Sequence, residues 1–150
     1  MATLDFADIE DLIVAKLTAD VTAAKSVTTY AGQLDDLVEG RLIKGFPLVT
    51  VMFSGQTLEQ IDGPNHHAVA EFTVAIFAHS LRGADDTRKG AAGAYALVRD
   101  VLDSLVNARL AENLEPVAVT NVQLIYATPA VMAYQVAFSV AMDQEYQWPE

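Results

Sequence analysis

The stretch TNVQLIYATPAVMAYQVAFSVAMDQ (Thr120–Gln144) decides the fold class. It contains two runs in which apolar residues alternate with others, and the tripeptide TPA (Thr128–Ala130) separates them. Such a pattern predicts two antiparallel strands joined by a tight hairpin. Successive side chains of a strand point to opposite faces, so the second run has one continuous apolar face. The residues of that face are Met132, Tyr134, Val136, Phe138, Val140 and Met142.

A second pair of predicted strands lies upstream. FPLVTVMFSG (Phe46–Gly55) and HAVAEFTVAIFAHS (His67–Ser80) are rich in β-branched and aromatic residues. Between them, GQTLEQIDGPNHH (Gly55–His67) carries the dense turn signal Asp-Gly-Pro-Asn and is predicted to be a long loop. SVTTY (Ser26–Tyr30) is also β-prone. In the His67–Ser80 strand, one apolar face is formed by Phe72, Val74, Ile76 and Ala78.

Helical spacing of apolar residues occurs in two long segments. The first runs from Asp5 to Ala24, and the second from Thr87 to Leu110. QLDDLVEG, which ends at Gly40, predicts a short helix between the first two strands. The core stripe of the first long helix is predicted to be Phe6, Ile9, Ile13 and Leu17. That of the second is predicted to be Tyr95, Val98, Leu102 and Leu105, with Val101 beside it.

The order of these elements predicts an α+β fold. Two hairpins imply a mainly antiparallel sheet of four or five strands, with two main helices packed on it. A chain of 150 residues with 52% hydrophobic content is expected to form one domain, residues 1–150. Strand order is not predictable from the pattern.

Composition and charge exclude several classes of function. The chain contains no cysteine, so disulfides, thiolate metal sites and a cysteine nucleophile are excluded. It has no basic leader and no run of about 20 apolar residues, so we expect a soluble protein that is not exported. A net charge of −11 argues against binding to nucleic acid phosphates or anionic membranes.

The adjacent histidines His66 and His67 are a candidate metal site. Neighbouring residues of a strand point to opposite faces, so these two can share one ion only within a loop. His79 lies a whole strand away, and no third ligand is local. A solvated pair is therefore favoured over a metal centre.

The stretch HSLRGADDTRKG (His79–Gly90) is a candidate phosphate loop, because it precedes a predicted helix. It lacks both glycine patterns that cradle phosphates, and Asp85 and Asp86 would repel an anion at the helix start. These acids fit better as helix caps. No serine has the glycine context of a nucleophile elbow. We therefore expect no enzyme activity and no cofactor, although a deep apolar pocket with convergent polar groups around His66 or His79 would favour a small cytosolic enzyme or ligand-binding domain.

The functional interpretation that remains is contact with other chains. Ordinary core packing with solvated loops is an equally open alternative. The His79–Gly90 stretch holds three of the nine basic residues, which form a positive spot on a negative subunit. The candidate interface residues are Arg82, Asp85, Asp86, Arg88, Lys89, His66 and His67.

Four segments, in order, resemble the Mu-like tail terminator proteins and, more broadly, the tail terminators of long-tailed phages. They are TTYAG (Thr28–Gly32), FPLVTVMFSG (Phe46–Gly55), FTVAIFAHSLRG (Phe72–Gly83) and RKGAAGAYALVRDVLDSLVNARL (Arg88–Leu110). The resemblance implies a ring, a hexamer, that caps the tail tube, stops its polymerisation and offers a surface for the head connector. It implies no cofactor and no reaction.

The partners implied are copies of the chain itself, the tail tube protein and the head–tail connector protein. DNA would pass through the lumen without specific binding, which the negative charge suits. The implied location is the head-proximal end of the tail in the virion, and the host cytoplasm during assembly. A ring needs two different patches on each subunit; we expect one on the open edge or outer face of the sheet and one near the second helix and its preceding loop. Another head–tail connector or a minor tail protein is the alternative.

Overall fold

The computed structural model describes residues 6–30, 47–79, 93–128 and 131–145. Within these ranges the chain forms two helices and a five-stranded sheet, which confirms the predicted α+β fold. The helices are α1 (Phe6–Asp20) and α2 (Ala94–Leu105). The strands are β1 (Ser26–Thr29), β2 (Leu48–Asp62), β3 (Asn65–His79), β4 (Ala118–Ala127) and β5 (Val131–Glu145). Neither described helix is long and apolar enough to cross a membrane.

The strand order is β1-β2-β3-β5-β4. Both predicted hairpins form, since β2 pairs with β3 and β4 pairs with β5 in antiparallel register. β3 also pairs antiparallel with β5 along its whole length, whereas β1 runs parallel to β2. The backbone N–H of Thr128 donates to the carbonyl of Val131 (2.7 Å) and closes the β4–β5 hairpin. The sheet is therefore mixed but mostly antiparallel, as expected.

The main core lies between the two helices and one face of the sheet. Ile9, Ile13 and Leu17 of α1 are fully buried, which confirms the predicted stripe. The sheet contributes the predicted faces of β3 and β5. Four stacked or edge-on phenylalanine rings run from α1 across β2, β3 and β5, with centroid separations of 4.0, 5.4 and 5.9 Å. The rings belong to Phe6, Phe53, Phe72 and Phe138.

α1 ends at Asp20, four residues before its predicted end, and Asp20 ties it to α2. The Asp20 carboxylate accepts hydrogen bonds from Ser104 Oγ (2.7 Å) and Lys16 Nζ (3.0 Å). These two bonds, the Ser104 bond first, lower the pKa of Asp20. The end of α1 is therefore held at a particular point along α2, where Ser104 is buried.

The predicted core stripe of α2 is confirmed in part. Val101 and Leu105 are buried as predicted, and Val98 and Leu102 are partly buried against the core. The structure also buries Ala94 and Leu97, whereas Tyr95 is half exposed. The helix carries apolar residues over a wider arc than its contact with the sheet covers, so spacing alone does not tell which part faces the core. It also ends at Leu105 rather than Leu110, because Asn107 adopts a left-handed conformation with φ 60° that breaks helical geometry.

The predicted long loop is also wrong. β2 continues to Asp62 and β3 begins at Asn65, so only Gly63 and Pro64 form the turn. Gly63 has φ +53°, a conformation that glycine adopts readily. The residues after Gly55 are mostly polar, and they form a strand because β3 pairs with them and β5 pairs with β3. Two register shifts in β2, at Phe53/Gly55 and Gln60/Asp62, accommodate the extension.

Candidate assembly surfaces

The far ends of β2, β3 and β5 form an extension that we call the distal arm. It comprises Gly55–Glu71 of the β2–β3 hairpin and Ser139–Glu145 of β5, paired from Glu71/Ser139 to Asn65/Glu145. The six paired steps give it a length of about 20 Å. The segment between α2 and β4 packs along it, since Glu115 N–H donates to Ala141 O (2.9 Å) and the buried Leu114 belongs to the core cluster.

The tip of the arm, by contrast, exposes apolar side chains. Leu58 and Ile61 are 49% and 59% exposed, although both are large and aliphatic. Each is followed in the sequence by an exposed acid, Glu59 after Leu58 and Asp62 after Ile61. A rigid hairpin that presents aliphatic and acidic side chains together is suited to contact another surface.

His66 and His67 lie on this arm, in β3, and therefore face opposite sides of the sheet. Nδ1 of His66 is 3.1 Å from the carbonyl oxygen of Pro64, while Nδ1 of His67 is 2.9 Å from Asp143 Oδ1. Since the rings are on different faces, the pair does not form one metal site. No group of three or more metal-ligating side chains occurs among the described residues.

His67 sits in an acidic environment. Its hydrogen bond with Asp143 raises its pKa, and the negative charges of Glu115, Asp143 and Glu59 act in the same direction. Glu59 and Asp143 are its direct neighbours on the two flanking strands. Protonated His67 therefore links β3 to β5 electrostatically across the outer face of the arm.

A second candidate surface is a groove between α2 and the last two strands, which we call the α2 groove. Its volume is about 490 Å³. It is lined by Tyr95, Val98, Arg99, Leu102, Asp103, Val122 and Tyr134. The rings of Tyr95 and Tyr134 meet edge-on, with centroids 6.2 Å apart. Tyr95, Val98 and Leu102, which spacing assigned to the core, thus line an open groove, and Val98 and Leu102 also pack against the core.

β4 is a terminal strand of the sheet, and its outer edge has no strand partner in the described part of the chain. Its ten residues include no charge and no proline. Val122 and Leu124 are 40% and 45% exposed. Proteins normally protect such an edge with charges, proline or a covering segment, because it offers a template for another strand. The β4 edge is therefore a candidate contact with another chain.

The opposite side of the sheet has an open edge too. β1 pairs only with Leu48–Val51, and Tyr30 N–H adds one bond to Val51 O (2.9 Å). From Met52 to Asp62, the side of β2 that faces away from β3 has no strand partner among the residues described here. The two open edges are different in sequence and lie on opposite sides of one sheet.

Near the middle of the sheet, the outer face carries short hydroxyl side chains that form hydrogen bonds. Ser54 Oγ and Thr73 Oγ1 share a hydrogen bond of 2.6 Å, and Thr50 Oγ1 donates to Ala75 O (3.5 Å). Two small cavities on this face measure about 110 and 220 Å³. His66 lines neither of them, nor the α2 groove, so the geometry adds no support for a ligand site built on it.

Of the predicted interface residues, only the two histidines fall within the described ranges. Arg82, Asp85, Asp86, Arg88 and Lys89 lie outside them. The sequence predicted one contact patch on the open edge or outer face of the sheet and one near the second helix, but it did not predict which residues of the α2 groove or of the β4 edge form them. The signal for the edge was available, since the ten residues of β4 carry no charge in a chain with a net charge of −11.

Comparison with known proteins assigns the chain to a phage family. The family model for Bacteriophage Mu, Gp37 matches residues 5–148. No curated protein matches the chain. The family indicates a structural or morphogenesis protein that is associated with the virion, and it points away from an enzyme. The match covers nearly the whole chain, and the protein therefore belongs to the bacteriophage Mu Gp37 family.

Proposed function

We propose that the protein is a tail terminator, which forms a ring, a hexamer, on the end of the tail tube. The ring stops tube polymerisation and offers the surface to which the head joins. Family membership supports a structural role in a phage. The observation that carries the ring is the presence of two different strand edges on opposite sides of one sheet, each without a strand partner among the described residues.

A closed ring is built from heterologous contacts, in which each subunit uses two different surfaces. The β4 edge and the β2 edge have this relation, because they are the two sides of the sheet order. When the β4 edge of each subunit meets the β2 edge of the next, the subunits form a row. The first and last subunits of this row each keep one edge without a partner, and closure of the row into a ring pairs these two edges with each other.

Termination is then a matter of geometry. One face of the ring mates with the last ring of tube protein, and the other face differs from it, so no further tube subunit is accepted. The head–tail connector protein binds that second face. The subunit charge of −11 suits a lumen through which DNA passes without binding, because like charges repel.

The decisive experiment is electron microscopy of tails made in infected cells that lack the protein. Overlong tubes of variable length support termination. Tubes of normal length that fail to join heads would indicate a connector subunit instead, and normal joined tails would indicate a minor tail protein.

The ring itself is tested by light scattering on purified protein, alone and with tube protein. A closed oligomer of fixed mass is expected, at high concentration or in the presence of the tube partner. A strict monomer under both conditions would contradict the proposal.

A further inference from the structure

We propose that the tip of the distal arm of one subunit docks in the α2 groove of the next subunit. This inference rests on the proposed ring and adds to it the partner of the groove, which is a second copy of this chain. Three observations carry it: an open apolar groove, an arm tip that matches it, and a distance that prevents the contact within one subunit.

The groove requires an occupant. Its walls are mostly apolar, and Tyr95 and Val122 remain largely exposed along it. A soluble chain with such a groove gains free energy when apolar side chains fill it. Its volume of about 490 Å³ leaves room for more than one aliphatic side chain.

The arm tip has the complementary shape and chemistry. Leu58 and Ile61 are exposed large aliphatic side chains on a paired hairpin. A paired hairpin loses little conformational freedom on docking, which keeps the entropic cost of association low.

The tip does not reach the groove of its own subunit. Val122, the groove residue of the sheet nearest the arm, pairs with Val136, which pairs with Val74, whereas Leu58 of the tip pairs with Ala68. The six strand steps between these β3 positions correspond to about 20 Å along the sheet, and β2 and β4 are also separated by two other strands. The contact is therefore between copies, and it joins the β2 side of one subunit to the β4 side of the next, as the ring requires.

The acids of the tip can meet one cation of the groove. Arg99 lies exposed there, one helical turn before the exposed Asp103, and no ion pair of Arg99 occurs among the residues that the structure describes, so docking places the acidic tip beside Arg99 rather than Asp103. The arm tip carries the exposed acids Glu59 and Asp62. Copies with a net charge of −11 repel one another, so an arginine placed where an acidic tip docks selects this register.

A charge exchange between the two surfaces tests the contact. Asp62→Arg and Arg99→Glu each place like charges together, and we expect each to raise the concentration needed for half assembly by about tenfold. The double variant Asp62→Arg/Arg99→Glu restores the opposite charges and should return that concentration to within about threefold of the wild type. Sedimentation velocity over a concentration series measures all three.

Two further variants separate docking from the effects of net charge and of subunit unfolding. Ile61→Ser removes an aliphatic side chain from the tip and is expected to weaken assembly without changing charge. Asp11→Arg changes the net charge as much as Asp62→Arg does, but lies on the exposed side of α1 and should leave assembly unchanged. Urea unfolding of each variant shows whether the subunit remains folded.

The outcomes distinguish the two proposals. If the single variants assemble like the wild type, or the double variant assembles no better than the single ones, the docking inference is wrong and the ring stands. If wild-type protein forms no ring, even with tube protein, the proposed function fails and the docking inference fails with it.

Discussion

The uncharged edge strand β4 allows a quantitative prediction for the double substitution Val122→Thr/Leu124→Thr. Threonine is β-branched and favours strand structure, so β4 itself should persist. It replaces part of each apolar surface with a hydroxyl group. If the β4 edge forms a contact between subunits, the substitution should weaken assembly in addition to lowering the stability of the subunit.

The magnitude follows from the exposure of the two side chains. Full burial of such a side chain is worth about 1.5–3 kcal/mol, and the exposed 40% and 45% are what association can still bury. Allowing for the methyl group that threonine keeps, the pair should cost about 1–2 kcal/mol per contact. That corresponds to a dissociation constant roughly 5- to 30-fold higher at each contact. The part already buried within the subunit should lower its unfolding free energy by a similar amount.

The assay combines sedimentation velocity across a concentration series with urea unfolding of the dilute protein. A matched control is Val106→Thr, because Val106 is 49% exposed but lies outside the groove and the edge. The control should lose a little stability and assemble as before. An unchanged assembly midpoint in Val122→Thr/Leu124→Thr would refute the assignment of this edge, and an equal loss in Val106→Thr would attribute the effect to stability.

Three further predictions concern the fold and the arm. Phe72→Ala removes a buried ring that contacts two others and should lower the unfolding free energy by about 3–5 kcal/mol, measured by urea titration at constant m-value; a loss below about 2 kcal/mol would argue against this packing. His67 has a raised pKa, so its interaction stabilises the folded state below the unfolded pKa and is lost as pH rises through the folded one. His67→Gln should therefore destabilise the protein near pH 5, by about 1 kcal/mol or less, and have no such effect near pH 9; equal effects at both pH values would contradict it. Gly63→Ala places a side chain at φ +53° and should cost about 1–2 kcal/mol; unchanged unfolding would mean that the turn relaxes freely.

Much of the fold is predictable because its elements have strong local patterns. Ile9, Ile13 and Leu17 repeat at the spacing of a helix, and they are buried as expected. The alternation from Met132 to Met142 likewise predicts the buried face of β5. In β5 one face is clearly more apolar than the other, so only that face can be buried, and in α1 the large side chains of Phe6, Ile9, Ile13 and Leu17 form one stripe.

The incorrect predictions concern segments whose local sequence pattern is compatible with more than one structure. α2 is apolar over a wide arc, and its docking on the sheet buries Leu97, which spacing did not assign to the core, and leaves Tyr95 half exposed. The residues from Gly55 to Asp62 are polar, and their strand structure comes from pairing with β3. The strand that pairs with a polar segment cannot be identified from the neighbouring residues, so the sequence of a polar strand resembles that of a loop.

The sequence by itself determined the class of fold, the faces of α1, β3 and β5, and a composition suited to assembly rather than to catalysis. These depend on the periodicity and charge of neighbouring residues, which act over a few positions along the chain. Only the tertiary structure decided the strand order, the length of the arm, and the surface that the unused side of α2 presents. β5 inserts beside β3 and leaves β4 as an uncharged edge, and this depends on contacts between residues far apart in sequence. The candidate assembly surfaces therefore consist of apolar residues that remain exposed after the core has formed, and the sequence does not distinguish them from the residues that the core buries.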